Sequence, residues 1–136
     1  MRIVISLIAI FMSSAVIAIS PSVPKEFIGV WVPVGSSCQE KNKLDVKKDS
    51  VYLYNGSDKQ QFGNIDICYS CEGGIRYSGE VVWLTPDFNT GGESTFTVYF
   101  NANEELGVTV VEMQNSELMQ RFPIHNVKLH KCNKKI

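Results

Sequence analysis

Few side chains in this 136-residue chain have the type and spacing that chemistry requires. Four are cysteines: Cys38, Cys68, Cys71 and Cys132. Cys68-Tyr69-Ser70-Cys71 has the spacing of a redox pair. Such pairs work at a helix N-terminus, where the dipole lowers the thiolate pKa. Here strand-like residues precede the motif and Gly73-Gly74 follows it. A zinc site would recruit His130 and Cys132, but His130-x-Cys132 has the wrong gap for a second ligand cluster. No metal is expected, and an even cysteine count in an exported chain predicts two disulfides. Residues three apart in one straight strand face opposite ways. The spacing therefore favours long bridges, Cys38–Cys68 with Cys71–Cys132, among the three possible pairings.

No other cluster points to catalysis. The only histidines, His125 and His130, lie near the C-terminal end, away from Ser36, Ser37 and Ser78. None of these serines stands in a strand-to-helix elbow. Glu80, Asp87 and Glu93 are acids without a pattern that selects a glycosidase-like pair. Gly73-Gly74 and Gly91-Gly92 open no helix and make no phosphate loop. Neither an enzyme nor a cofactor is expected.

Charge and the first residues bear on compartment. The formal net charge is −1, which gives no basis for a nucleic-acid partner. A basic run closes the chain: Arg121, Lys128, Lys131, Lys134 and Lys135, without an acid. Arg2 followed by the apolar stretch Ile3–Met12 and by Val16-Ile17-Ala18 has the layout of a signal peptide over residues 1–18, cut after Ala18. Residues 19–136 are then a single domain, secreted or periplasmic, with no membrane span after cleavage.

The elements that would position these residues read as strands. Phe27–Val34, Lys43–Lys47, Val51–Tyr54, Phe62–Tyr69, Ile75–Leu84, Thr95–Phe100, Gly107–Met113, Leu118–Phe122 and Asn126–Cys132 carry alternating or β-rich patterns, and no window has a sustained helical period. Asn55-Gly56 is the strongest hairpin signal, as the central pair of a type I′ turn. In Thr95–Phe100, Phe96, Val98 and Phe100 share one face. The expected fold is all-β, an antiparallel barrel or barrel-like sandwich of about eight strands, stapled by disulfides.

Gly29-x-Trp31 opens the first strand, and here the chain resembles the lipocalin-like (calycin) families. The resemblance implies an eight-stranded barrel plugged at one end by the tryptophan, with a basic residue near the last strand packed over it. Trp31 matches the tryptophan, and Arg121 is the nearest candidate for the base. Thr85-Pro86-Asp87-Phe88 is similar to the families' second motif, with a proline inserted. The expected function is binding without catalysis. A small apolar ligand would enter the barrel, where Trp83, Phe96, Val98 and Phe100 line the interior or fill it. Alternatively, the loop carrying Asp87 and Phe88 would contact a protein, as in an inhibitor of a lysozyme or peptidase. Trp31 is expected to be structural.

Overall fold

The computed structural model describes residues 22–72, 80–87 and 95–133. The expected signal peptide, Phe88 and most of its loop lie outside them. Among the described residues nine strands form one antiparallel sheet curled into a half-barrel. They are β1 (Gly29–Pro33), β2 (Asn42–Val46), β3 (Val51–Asn55), β4 (Asp58–Phe62), β5 (Asp66–Glu72), β6 (Glu80–Thr85), β7 (Phe96–Phe100), β8 (Val108–Met113) and β9 (Lys128–Lys131). The spatial order is β4-β3-β2-β1-β9-β8-β7-β6-β5. Every consecutive pair is adjacent except β4 and β5, the two edges. Pairing of β1 with β9 joins the two meanders, so residues far apart in sequence share the middle of the sheet.

Alternation selects the inner face. Trp31 stands opposite Leu44 on β2 and Lys131 on β9, and Val98 opposite Leu84 and Val111. Trp31, Leu44, Leu84, Val98 and Val111 are buried in one continuous core. The N-terminal segment closes over it: Phe27 stacks on Phe100 at 4.2 Å, and the Val23 N–H donates to the Lys48 carbonyl at 3.2 Å. The Tyr69 hydroxyl on β5 donates to the Ser22 carbonyl at 3.0 Å, so the same segment also reaches the far edge strand.

The structure corrects four local expectations. Phe62–Tyr69 is not one strand: Gly63 and Asn64, the latter at φ 46°, separate β4 from β5. The β3–β4 hairpin centres on Gly56-Ser57, because Asn55 pairs with Asp58. Only Gly56 has positive φ, 62°, which fits a II′ turn rather than I′. Leu118–Phe122 is not a strand, since Ser116–Arg121 forms α1. Asn115 caps it, its side chain accepting from the Glu117 N–H at 2.8 Å and the Leu118 N–H at 3.1 Å. Six residues are too few for the periodicity that reveals a longer helix. Leu118, Phe122 and Ile124 follow the cap into the core.

The fourth correction concerns the disulfides, which are Cys38–Cys132 and Cys68–Cys71, with Cα separations of 5.6 and 5.9 Å. The long-bridge expectation assumed a straight strand. β5 instead shifts register between Cys68, opposite Trp83, and Cys71, opposite Val81. Tyr69 and Ser70 together oppose Val82, and Ser70 takes φ 54°. This bulge brings both sulfurs to one side.

Arg121 does not serve as the basic partner of Trp31. It spans to β4, donating to both Asp58 carboxylate oxygens at 2.9 and 3.1 Å and to Gln60 Oε1 at 2.7 Å. The Asn55 side chain returns a bond to the Arg121 carbonyl at 2.7 Å, which docks α1 on the edge hairpin. The hydrogen-bonded Arg121 guanidinium holds the Asp58 carboxyl below its ordinary range. A depressed carboxyl contributes stability that is full above the unfolded value, about 3.9, and fades as pH falls through the lower folded value. Arg121→Gln should therefore melt below the parent at pH 7, with the difference shrinking in strong acid. Paired thermal melts from pH 7 to pH 2 check this; a difference independent of pH refutes the assignment.

The basic residue at the Trp31 position is Lys131. It is the register partner of Trp31, and its Nζ donates to the Glu26 carbonyl at 2.7 Å. Gly29 makes room for it: a Cβ there would lie 2.9 Å from Lys131 Cε, and the backbone has φ +140°. The positive φ favours glycine here, whereas the lysine, met near the end of a flexible side chain, could shift.

Candidate binding site

The β7 side chains expected to line a barrel ligand are buried inside the half-barrel. Phe96, Val98 and Phe100 have no exposed surface. Phe96 meets Phe62 edge-on at 4.8 Å, and Phe100 lies between Phe27 and, at 5.7 Å, Trp31. Trp83 does not join them. It pairs with Tyr99 on the outer face, rings 5.3 Å apart and nearly perpendicular, beside Ala102 and Val110. β6 is apolar on both faces, with Val81 and Trp83 on one and Val82 and Leu84 on the other, so alternation alone did not say which looks inward. Burial pushes the Tyr99 phenol up, and Glu112 adds to the effect.

The loop candidates are only partly visible. Asp87 is half-buried with φ 54°, and its N–H donates to the Gly63 carbonyl at 2.9 Å. That bond ties the start of the loop to the β4–β5 connection. Phe88 lies outside the described residues.

A groove of about 830 Å³ opens instead on the outside of the half-barrel, beside the Cys38–Cys132 bridge. Its apolar floor is Ile28, Gly29 and Val30, and its charged walls are Lys43, Asp45, Lys47 and Lys131. Strand parity builds its β2 wall, whereas Lys131, on Trp31's side of the sheet by register, reaches it over Gly29. In β2, Leu44 and Val46 point into the core, which sends Lys43 and Asp45 outward. Asp45 stands opposite Val30, and Lys43 opposite Tyr54. The volume falls within the usual range for small-molecule sites, about 300–1,000 Å³.

Charge in the groove is arranged around Asp45, a carboxylate only 7% exposed. Its Oδ2 accepts from Lys47 Nζ at 2.8 Å, and this bond holds Lys47 above the ordinary lysine range against the opposing effect of burial. Lys43 leans over the Tyr54 ring, 5.3 Å from its centroid. Next to it, Lys59 lies 4.6 Å from the Tyr52 centroid and 5.4 Å from that of Tyr54. The outer face of β2–β4 is thus basic and aromatic, with three lysines and one acid around the groove itself. Such a site can accept an anionic head and cover an apolar body.

The alternation of Leu44 and Val46 with charged residues was visible in the sequence. What it lacked was the pairing of β9 with β1, which carries Lys131 and Cys132 to the same place. Among the described residues no group of three metal-ligating side chains is present, and no helix is long and apolar enough to cross a membrane. The chain matches no protein-family model, and no curated protein or solved structure is significantly similar to it.

Proposed function

We propose that this is an exported, non-enzymatic binding protein whose ligand sits in the outer groove and not in the barrel. The observation that carries this proposal is the lysine-walled groove with its apolar floor of Ile28, Gly29 and Val30. A small amphiphilic anion matches it: the lysines face the head group, and the floor covers the chain or ring. A purely apolar ligand would make no use of the positive charge along the walls, and Phe96, Val98 and Phe100, expected to contact it, are fully buried. Export is supported by the layout of residues 1–18 and by two disulfides, which persist in oxidising compartments. A lipocalin-like relation is supported by Gly29-x-Trp31 with Lys131 across from it. The second occupant consistent with the same charges is an acidic segment of a protein partner, as in a hydrolase inhibitor.

Dodecanoate and dodecanol, compared by calorimetry on the disulfide-intact protein, test the proposal. Dodecanoate should bind at least about tenfold more tightly, the factor that corresponds to about 1.4 kcal/mol. Lys43→Glu should remove most of that preference while changing the melting temperature little, because among the described residues Lys43 takes part in no ion pair, and it lies on the outer face. Equal binding of the two probes, or an unaffected Lys43→Glu variant, would rule out the groove as an anion site. Failure of both probes to bind would leave the acidic protein segment as the occupant to pursue.

A further inference from the structure

We propose that Cys68–Cys71 is a redox-active site that exchanges with dithiols in the folded protein while Cys38–Cys132 stays closed. Three observations lead there. The first is position. β5 is an edge of the sheet, so no strand covers its outer side among the described residues. Cys68 and Cys71 are both partly exposed, and between them Tyr69 is 53% exposed and Ser70 is exposed too.

The second is backbone conformation. The bridge closes over the bulge in which Ser70 takes φ 54°, a left-handed conformation unfavourable for a residue with a Cβ. Opening the bridge lets Ser70 return to extended geometry, so the reduced form gains what the oxidised form gives up. The third is separation. Cys68 and Cys71 are 3 apart in sequence, whereas Cys38 and Cys132 are 94 apart. A bridge over so short a loop constrains the unfolded chain little, so it can open without unfolding the domain.

The exchange balances as follows. A thiolate of the dithiol attacks the Sγ of Cys68 or Cys71, the protein S–S bond breaks, and the other cysteine leaves as a thiolate that takes a proton from solvent. The second thiol of the reagent then attacks the mixed disulfide and releases the first cysteine. Two electrons and two protons pass to Cys68 and Cys71, and the dithiol becomes a disulfide. The reverse sequence closes the bridge. Cys68 is the register partner of Trp83 and shares its face, so indole fluorescence reports on the state of the pair.

The test is a dithiothreitol titration of the folded protein, quenched by alkylation and read by peptide mapping and tryptophan emission. Cys68 and Cys71 should become alkylated at reductant concentrations at least about tenfold below those that open Cys38–Cys132. Ser70→Val should lower the midpoint of the Cys68–Cys71 pair about fivefold or more, because a β-branched residue disfavours the left-handed conformation and favours extended strand. The Cys38–Cys132 midpoint should not move. Cys68→Ser with Cys71→Ser should fold, keep the long bridge and show no tryptophan response to reductant. Opening of Cys38–Cys132 first or simultaneously, a Ser70→Val midpoint that stays or rises, or a double serine variant that fails to fold would each overturn the proposal. None of these readouts depends on the groove, so they stand or fall separately from the proposed ligand.

Discussion

A chain with serine at both Cys38 and Cys132 is expected to lose about 4–5 kcal/mol of stability, which would leave it partly unfolded at physiological temperature. The bridge spans 94 residues of sequence, and the chain-entropy contribution of a loop near 100 residues is about 4.7 kcal/mol. It ties the loop after β1 to the residue that follows β9, and the Cys132 N–H adds a bond to the Val30 carbonyl at 2.7 Å. The β1–β9 pairing that joins the two meanders lies directly beside it. Typical domains have only about 5–15 kcal/mol in total. Urea unfolding of the oxidised parent against the double serine variant measures the difference. The Cys68→Ser and Cys71→Ser pair is the internal comparison: the same logarithmic dependence gives its four-residue loop under about 2 kcal/mol. A Cys38/Cys132 variant no less stable than the Cys68/Cys71 variant would show that the two bridges do not divide their roles by loop length.

Much of the strand content was legible because inward residues alternate. Phe96, Val98 and Phe100 sit on one face as their spacing predicts, and each is fully buried. β4, by contrast, reads Asp-Lys-Gln-Gln-Phe, with an inner face that the alternation barely marks. An edge strand docked by Arg121 needs little apolar patterning, since its order comes from β3 and from α1. The bulge in β5 escaped for a related reason. Ser70 is neither glycine nor asparagine, so nothing in its identity announces φ 54°, and the geometry that excludes a Cys-x-x-Cys bridge in a straight strand does not hold in one that bends. For the binding site, the sequence showed which residues of β2 point outward. It could not show that β9 returns beside β1, a contact about a hundred residues long in sequence. Arg121 and Lys131 illustrate the same gap: both are basic and near the end of the chain, and only register decides which of them faces Trp31.

Register also makes Trp31 the side chain whose loss should be felt most. Its ring is 2% exposed and lies between Leu44 and Lys131 across the strands on either side, against Phe100 at 5.7 Å. Its Nε1–H donates to the Phe27 carbonyl at 2.9 Å, which fixes the N-terminal turn so that Phe27 can stack on Phe100. Trp31→Ala removes the ring from a packed core and the hydrogen bond from that turn together. Truncations of this kind cost about 3–5 kcal/mol, enough to lower the melting temperature by at least about 10 °C. Trp31→Phe separates the two contributions. It restores most of the apolar volume but leaves the Phe27 carbonyl without its donor, so its cost should be about 1–2 kcal/mol. The order expected in thermal melts is parent, then Trp31→Phe, then Trp31→Ala. If the two variants melt together, the hydrogen bond to Phe27 and not the ring is what holds the segment. If Trp31→Ala melts with the parent, the ring does not hold the core, and the proposed lipocalin-like relation loses the residue on which it rests.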